Sequence, residues 1–152
     1  MKLNSAFNMQ FIGHSKLDIH PFAPLADAKG YYEMMEQVSE ILLSITNMDA
    51  ISYQSNSGAT GEYVGLACIK RYHESNNQAH RNIVLIPASA HGTNPASAAK
   101  MGLKTLEVKT LSDGYIDVED LKTKVEQNKE NIFGIMITYP STHGVFEEKQ
   151  LK

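Results

Sequence analysis

Cysteine is almost absent. Cys68 stands alone, so no disulfide can close within the chain. A single cysteine in a helix-forming stretch reads as a small buried apolar side chain, and its solitude fits a reducing compartment. Arginine is also scarce, with only Arg71 and Arg81, and the formal net charge is -3. Phosphate backbones and anionic bilayers call for a cationic surface, so neither nucleic acid nor membrane is expected as a partner. No apolar run reaches the roughly 18 residues that span a bilayer. The opening Met1-Lys2-Leu3-Asn4-Ser5 has neither a secretory apolar core nor an Arg-rich transit pattern. Any import address is therefore expected outside this stretch.

Several catalytic signatures are missing too. There is no Gly-x-Gly-x-x-Gly fingerprint and no Gly-Lys-Ser/Thr, which argues against dinucleotide and P-loop sites. There is no Gly-x-Ser-x-Gly elbow and no cysteine–histidine arrangement. No histidine pair has metal-ligand spacing on one element, so no metal is expected.

What remains is ordinary globular material. The 152 residues are 42% hydrophobic and 20% charged, the size of one domain with a real core. Residues 1–27, with Pro21 and Pro24, form an irregular N-terminal segment; residues 28–152 form the α/β domain. Within it, Tyr31, Met34, Met35, Val38, Ile41, Leu42 and Ile45 make one apolar stripe and predict a helix over 28–46. Glu33, Glu36 and Glu40 are its solvated face. Residues 50–54 read as a strand. A second helix follows to about Glu74, with Val64, Ala67, Cys68 and Tyr72 as its buried face.

Asn82–Pro87 is a strong buried strand, a continuous aliphatic run closed by proline. Asn94-Pro95 reads as cap and first residue of a short helix to Met101. Strands are predicted over 103–109 and 132–138, and Asp117 caps the helix between them. Helix and strand alternate four times. That pattern predicts a mostly parallel sheet with helices on both faces and right-handed connections.

Ligands in such sheets bind beyond the carboxyl ends of the strands. This selects loops 55–62, 88–94 and 139–144, which are also rich in Gly, Ser, Thr and His. In the first, Ser57-Gly58-Ala59-Thr60-Gly61 joins a strand end to a helix start. Free helix N–H groups there favour an anion, and the hydroxyls of Ser57 and Thr60 add donors. A plain strand-to-helix turn explains the same residues, and both readings stand. In the second, His91 lies between Ala90 and Gly92, with room to lie flat against a ring; bonding to the local backbone is the alternative. In the third, Thr142 and His143 precede Gly144, which an exposed turn also explains. His14, His20, His73 and His80 are weaker candidates, in irregular or surface segments.

The same loops carry a resemblance. Ser55–Tyr63, Ser89–Ser97 (with Ser89-Ala90-His91-Gly92-Thr93-Asn94-Pro95) and Thr138–Glu148 resemble the glycine decarboxylase family of the glycine cleavage system. Met1–Ser5 and His20–Pro24 resemble the stretch before its cofactor domain, and the likeness covers nearly the whole chain. It implies an incomplete part of a pyridoxal 5'-phosphate fold type I (aminotransferase-like) large domain. It implies that Ser57, Gly58, Ala59 and Thr60 face the cofactor phosphate. His91 would stack on the pyridine ring and help move protons, and Thr142 and His143 would lie near the phenolic side. The implied reaction is decarboxylation of glycine with transfer of the aminomethyl group to the lipoylated H-protein. The implied parent is a dimer, in the mitochondrial matrix or the bacterial cytoplasm.

The resemblance also places the family's Schiff-base lysine after Glu148 and beyond this chain. The chain by itself is then not a working enzyme, and strand 51–54 lacks the neighbours that the family architecture puts beside it. Three other readings compete. A different fold type I decarboxylase or desulfurase shares the loops, but Ala90–Pro95 argues against it. A non-catalytic α/β interaction module would explain the missing lysine. A Rossmann nucleotide domain lacks its glycines.

Overall fold

The computed structural model describes residue 11 and residues 13–147. The chain divides into two compact units, 1–52 and 53–152. The first contains short 3-10 turns at Ser15–Leu17 and Leu25–Ala28, then helix α1, Lys29–Thr46. The predicted helix is present and ends at Asn47 in the left-handed conformation, whose N–H caps the Leu43 carbonyl. Its apolar stripe is only partly covered. Tyr31, Met35 and Leu42 are half-buried, whereas Met34, Val38, Ile41 and Ile45 are exposed.

The second unit is a three-stranded parallel sheet. Helix α2 (Gly58–Ser75) precedes strand β1 (Ile83–Pro87). Helix α3 (Thr93–Lys100) leads to β2 (Lys104–Val108), and helix α4 (Val118–Asn128) leads to β3 (Ile132–Ile135). The order β2-β1-β3 puts β1 in the middle, parallel to both neighbours. Alternation sorts its side chains. Val84 and Ile86 join Leu66 of α2, Ala98 of α3, Leu103 and Phe133 in one cluster. Leu85 joins Val108 and Ile116 in a second, against which Leu121 and Val125 of α4 pack. Helices therefore cover both faces, as the aliphatic runs predict. A bulge between β1 and β3 makes Phe133 the extra residue, since Ile83 faces Ile132 but Val84 faces Gly134.

Four expectations are corrected. Residues 51–55 lie in neither helix nor strand. A parallel strand exists only through its ladder, and each edge of the described sheet is β2 or β3. The buried face of α2 is not Val64, Cys68 and Tyr72. Val64 and Tyr72 are 44% and 65% exposed, and Cys68 is exposed as well. The inner stripe is instead Glu62, Leu66, Lys70 and His73, a 3.6-residue period drawn by mostly polar side chains. They are satisfied there: Lys70 Nζ donates to the Met101 carbonyl (3.3 Å), and His73 Nε2 pairs with the Phe133 carbonyl (2.9 Å). Asn94 is not the cap of α3, which begins two residues earlier than expected, at Thr93 after Gly92; Asn94 is buried inside the helix. Strand β3 stops at Ile135, although the Met136 N–H still donates to the Leu85 carbonyl (3.0 Å).

Asp117 caps α4 as predicted, its Oδ1 accepting from the N–H groups of Glu119 (3.1 Å) and Asp120 (3.0 Å). Asp120 then ties the helix to the end of β2. Its Oδ2 accepts from the Lys109 N–H (2.9 Å) and from the Lys124 ammonium. The Lys109 backbone bond, then the Lys124 bond, hold the Asp120 carboxyl below its ordinary value of 3.8. Nearby Gly114 has φ +89°, and a Cβ there would lie 3.0 Å from Val145 Cγ2.

Two outcomes follow from these contacts. A carboxyl depressed in the folded state stabilises above its unfolded value and loses that contribution as pH falls through the folded one. Asp120→Asn should therefore lower urea stability at pH 7, and the gap to wild type should shrink progressively as the pH falls below the ordinary value of 3.8. A gap that persists undiminished in acid would contradict the assignment. Gly114→Ala should cost about 1–2 kcal/mol in the same assay, because the left-handed conformation penalises a Cβ that also meets Val145.

Candidate functional site

The first wall of the site is the start of α2. Ser57 is extended, and its Oγ accepts from the Thr60 N–H (3.2 Å), while its carbonyl accepts from the Gly61 N–H (3.0 Å). Intrahelical bonding begins with Gly61, so the N–H groups of Gly58 and Ala59 have no acceptor within the helix. The Ser57 and Thr60 hydroxyls lie 2.9 Å apart, one donating to the other. At most one of the two hydroxyl hydrogens is left for a ligand. Ser57 thus serves as the helix cap, and the backbone of Gly58 and Ala59 is what the wall offers to an anion.

The second wall is the loop after β1. The His91 N–H donates to Thr138 Oγ1 (2.6 Å), which fixes the loop to the segment following β3. Thr138 Oγ1 in turn donates to Asn94 Oδ1 (3.4 Å). His91 Nδ1 lies 2.7 Å from Thr93 Oγ1 and 3.2 Å from the Thr93 backbone nitrogen. Thr93 Oγ1 donates to Glu62 Oε1 (2.8 Å), and Ser97 Oγ donates to Glu62 Oε2 (3.2 Å). The two walls are therefore joined by a carboxylate.

Between them lies an open cleft of about 630 Å³ at the carboxyl end of the sheet. Gly58, Ala59, Glu62, His91, Thr93 and Thr138 are among its lining residues. Three of the residues singled out in the sequence, Gly58, Ala59 and His91, meet here. Thr60 lines a neighbouring hollow with Tyr63 and Lys100 instead. Thr142 and His143 do not line the cleft. Thr142 donates twice to the Ser89 carbonyl, from Oγ1 (2.9 Å) and from N–H (3.1 Å). The His143 N–H donates to Ser141 Oγ (3.2 Å), and its Cβ would lie 3.7 Å from a Cβ on Gly114. Thr142 thereby ties the 141–145 turn to the loop carrying His91. Glu62, Thr93, Asn94 and Thr138 are the site residues that sequence reasoning did not single out. Among the described residues no group of three metal-ligating side chains is present.

The donor set suits a phosphorylated aromatic ring. Two backbone N–H groups at a helix start take an anion without any cation, and an open side at Gly58, where a Cβ would meet nothing within 4 Å, admits it. The imidazole on the opposite wall is exposed, with Nδ1 placed 2.7 Å from Thr93 Oγ1.

The chain is 54% identical over 149 residues to glycine dehydrogenase (decarboxylating) of Photobacterium profundum, covering 97% of the chain and 16% of that protein. The protein of the same name from Vibrio parahaemolyticus is 53% identical over 150 residues, and that from Deinococcus radiodurans 52% over 149. The chain spans about one sixth of the length of these curated relatives, 16% in each case. No family model matches it. Among solved structures, mouse CSAD superposes with a TM-score of 0.59 at 17% identity, over 88% of this chain and 30% of that one. That likeness shows the fold, the α/β large-domain architecture of fold type I.

Ser57→Ala should lower stability by about 1 kcal/mol through loss of the α2 cap. Thermal or urea unfolding measures it. No change would mean that the Thr60 N–H finds an equal acceptor.

Proposed function

The chain belongs to the glycine dehydrogenase (decarboxylating) family over the 16% of its relatives' length that it spans, and from that premise we propose its role. It supplies two walls of a pyridoxal 5'-phosphate site at which glycine is decarboxylated, the start of α2 and the loop with His91. The observation that carries this is the meeting of the Gly58 and Ala59 N–H groups with His91 across one cleft. When bound, the cofactor supplies an electron sink for the carbanion left as carbon dioxide departs.

The chain's own residues have narrower tasks. The start of α2 receives the phosphate by backbone donors and helix dipole. Ser57 keeps those donors aimed by capping the helix. His91 presents an aromatic face to the pyridine ring, and Thr138 holds its backbone in place. Thr142 and His143 act one step removed, through the Ser89 carbonyl and the 141–145 turn. Transfer of the aminomethyl group to a lipoylated H-protein, a dimeric parent and a Schiff-base lysine outside this chain belong to the same reading. The relatives' names support glycine as substrate. No observation favours an interaction module or a nucleotide-binding domain.

The test compares ligands that differ only in the phosphate. Pyridoxal 5'-phosphate should bind roughly five- to thirtyfold more tightly than pyridoxal, as expected if a helix start contributes about 1–2 kcal/mol. His91→Ala should weaken both ligands by a similar factor, about five- to tenfold, since ring stacking is worth about 1 kcal/mol. Absorbance titration reads both. Equal affinity for the two ligands would overturn the phosphate assignment.

A further inference from the structure

The short contacts around Thr93 leave too few hydrogens for every pairing to be satisfied at once. Thr93 Oγ1 lies 2.7 Å from His91 Nδ1 and 2.8 Å from Glu62 Oε1, yet it carries one hydrogen. An ionised Glu62 can only accept. If the hydroxyl hydrogen went to Nδ1, two oxygens 2.8 Å apart would face each other with no hydrogen between, one of them negatively charged. A charge-assisted bond is roughly twice as strong as a neutral one, so the hydroxyl hydrogen goes to Glu62. The hydroxyl lone pair then faces Nδ1 at 2.7 Å and needs a hydrogen from the ring. One contact favours the opposite arrangement: the Thr93 backbone N–H points at Nδ1, which would then be unprotonated. At 3.2 Å it is the longest and weakest of the three.

We propose that Glu62 is a positioning residue that sets the tautomer of His91 through Thr93. The order of donation is His91 Nδ1–H to Thr93 Oγ1–H to the Glu62 carboxylate. Ser97 Oγ, buried in α3, holds the second carboxylate oxygen and keeps Glu62 in line. The neutral ring then has Nε2 as its free basic nitrogen. Had the proton been on Nε2, that nitrogen would be a donor. The relay stands on these hydrogen bonds alone. Its bearing on catalysis rests on the cofactor reading above, in which the ring facing the cofactor must have a defined proton inventory.

The tautomer is directly readable. The protein with 15N-labelled histidine is examined by long-range proton–nitrogen NMR at about pH 8, above the ordinary imidazole range. Wild type should show His91 mainly as the Nδ1–H form, and Thr93→Ser, which keeps the hydroxyl, should match it. Thr93→Val removes the relay and should abolish that preference. Glu62→Gln presents an amide that can donate to Thr93 Oγ1, sending the hydroxyl hydrogen to Nδ1, so the Nε2–H form should become the major one. An Nε2–H wild type overturns the proposal without recourse to any variant. So does an Nδ1–H signal unmoved by both Glu62→Gln and Thr93→Val. Pyridoxal 5'-phosphate titration of the same samples separates the two readings. Failure to bind the cofactor with the Nδ1–H form intact sinks the function and leaves the relay standing.

Discussion

The burial of β1 on both of its faces is the constraint on which the rest of the second unit depends. Val84, Leu85 and Ile86 are 0%, 2% and 5% exposed, and each direction needs its own cover. Val84 and Ile86 recruit α2 and α3, and Leu85 recruits α4. Burial also obliges every backbone group of the strand to find a partner. The ladders to β2 and β3 meet that obligation and continue past the strand's end. The Ala88 N–H donates to the Val108 carbonyl (2.8 Å), and the Leu85 carbonyl accepts from Met136. The loop carrying His91 therefore leaves a rigid platform, and the segment following β3 runs beside it because β3 is the neighbouring strand.

The electrostatics of the cleft are unusual for an anion site. Its lining contains no lysine or arginine, and its one charged side chain is acidic. The start of α2 offers partial positive charge from N–H groups, worth about 1–2 kcal/mol to an anion. Glu62, one turn into the helix, opposes it. The opposition is moderated because Thr93 and Ser97 each donate a hydroxyl to one of its oxygens. A carboxylate with both oxygens bonded has less charge to project across the cleft, so the same hydroxyls that orient Glu62 also make room for an anion.

The sheet and most helices are written plainly in the sequence, because aliphatic runs and capping residues act locally. Ile83–Pro87 and Ile132–Ile135 are apolar on consecutive residues, and Asp117 announces α4. What the sequence hid are the places where a neighbour decides. Residues 51–54 have strand composition, but strand formation depends on a ladder that composition cannot supply. Helix α2 misled because its period was sought among apolar residues. Its inner stripe is Glu62, Leu66, Lys70 and His73, and three of these four enter only because distant groups receive them: Thr93 and Ser97, the Met101 carbonyl, and the Phe133 carbonyl. The three loops were legible as a site region because glycine, hydroxyl and histidine residues collect at strand ends. Which of those residues face one cleft was not, and Thr142 bonds the Ser89 carbonyl instead.

The two walls differ in how they are held, and this gives Glu62 a second importance. The loop with His91 is stapled to the segment after β3 at two points, His91 to Thr138 and Thr142 to Ser89. Both staples follow from the adjacency of β1 and β3. The start of α2 has no such neighbour in the sheet. Apolar packing holds the helix through Leu66 and Ala98, and Lys70 and His73 bond the Met101 and Phe133 carbonyls farther along it. At the start of the helix, direction comes from the Glu62 bonds to Thr93 and Ser97 on α3. A carboxylate in the first turns of α2 therefore registers the backbone donors of Gly58 and Ala59 against the ring of His91. The residue that fixes the proton on His91 also fixes its distance from the anion-binding wall. A neutral substitute should thus disturb both at once, whereas Thr93→Ser should disturb neither.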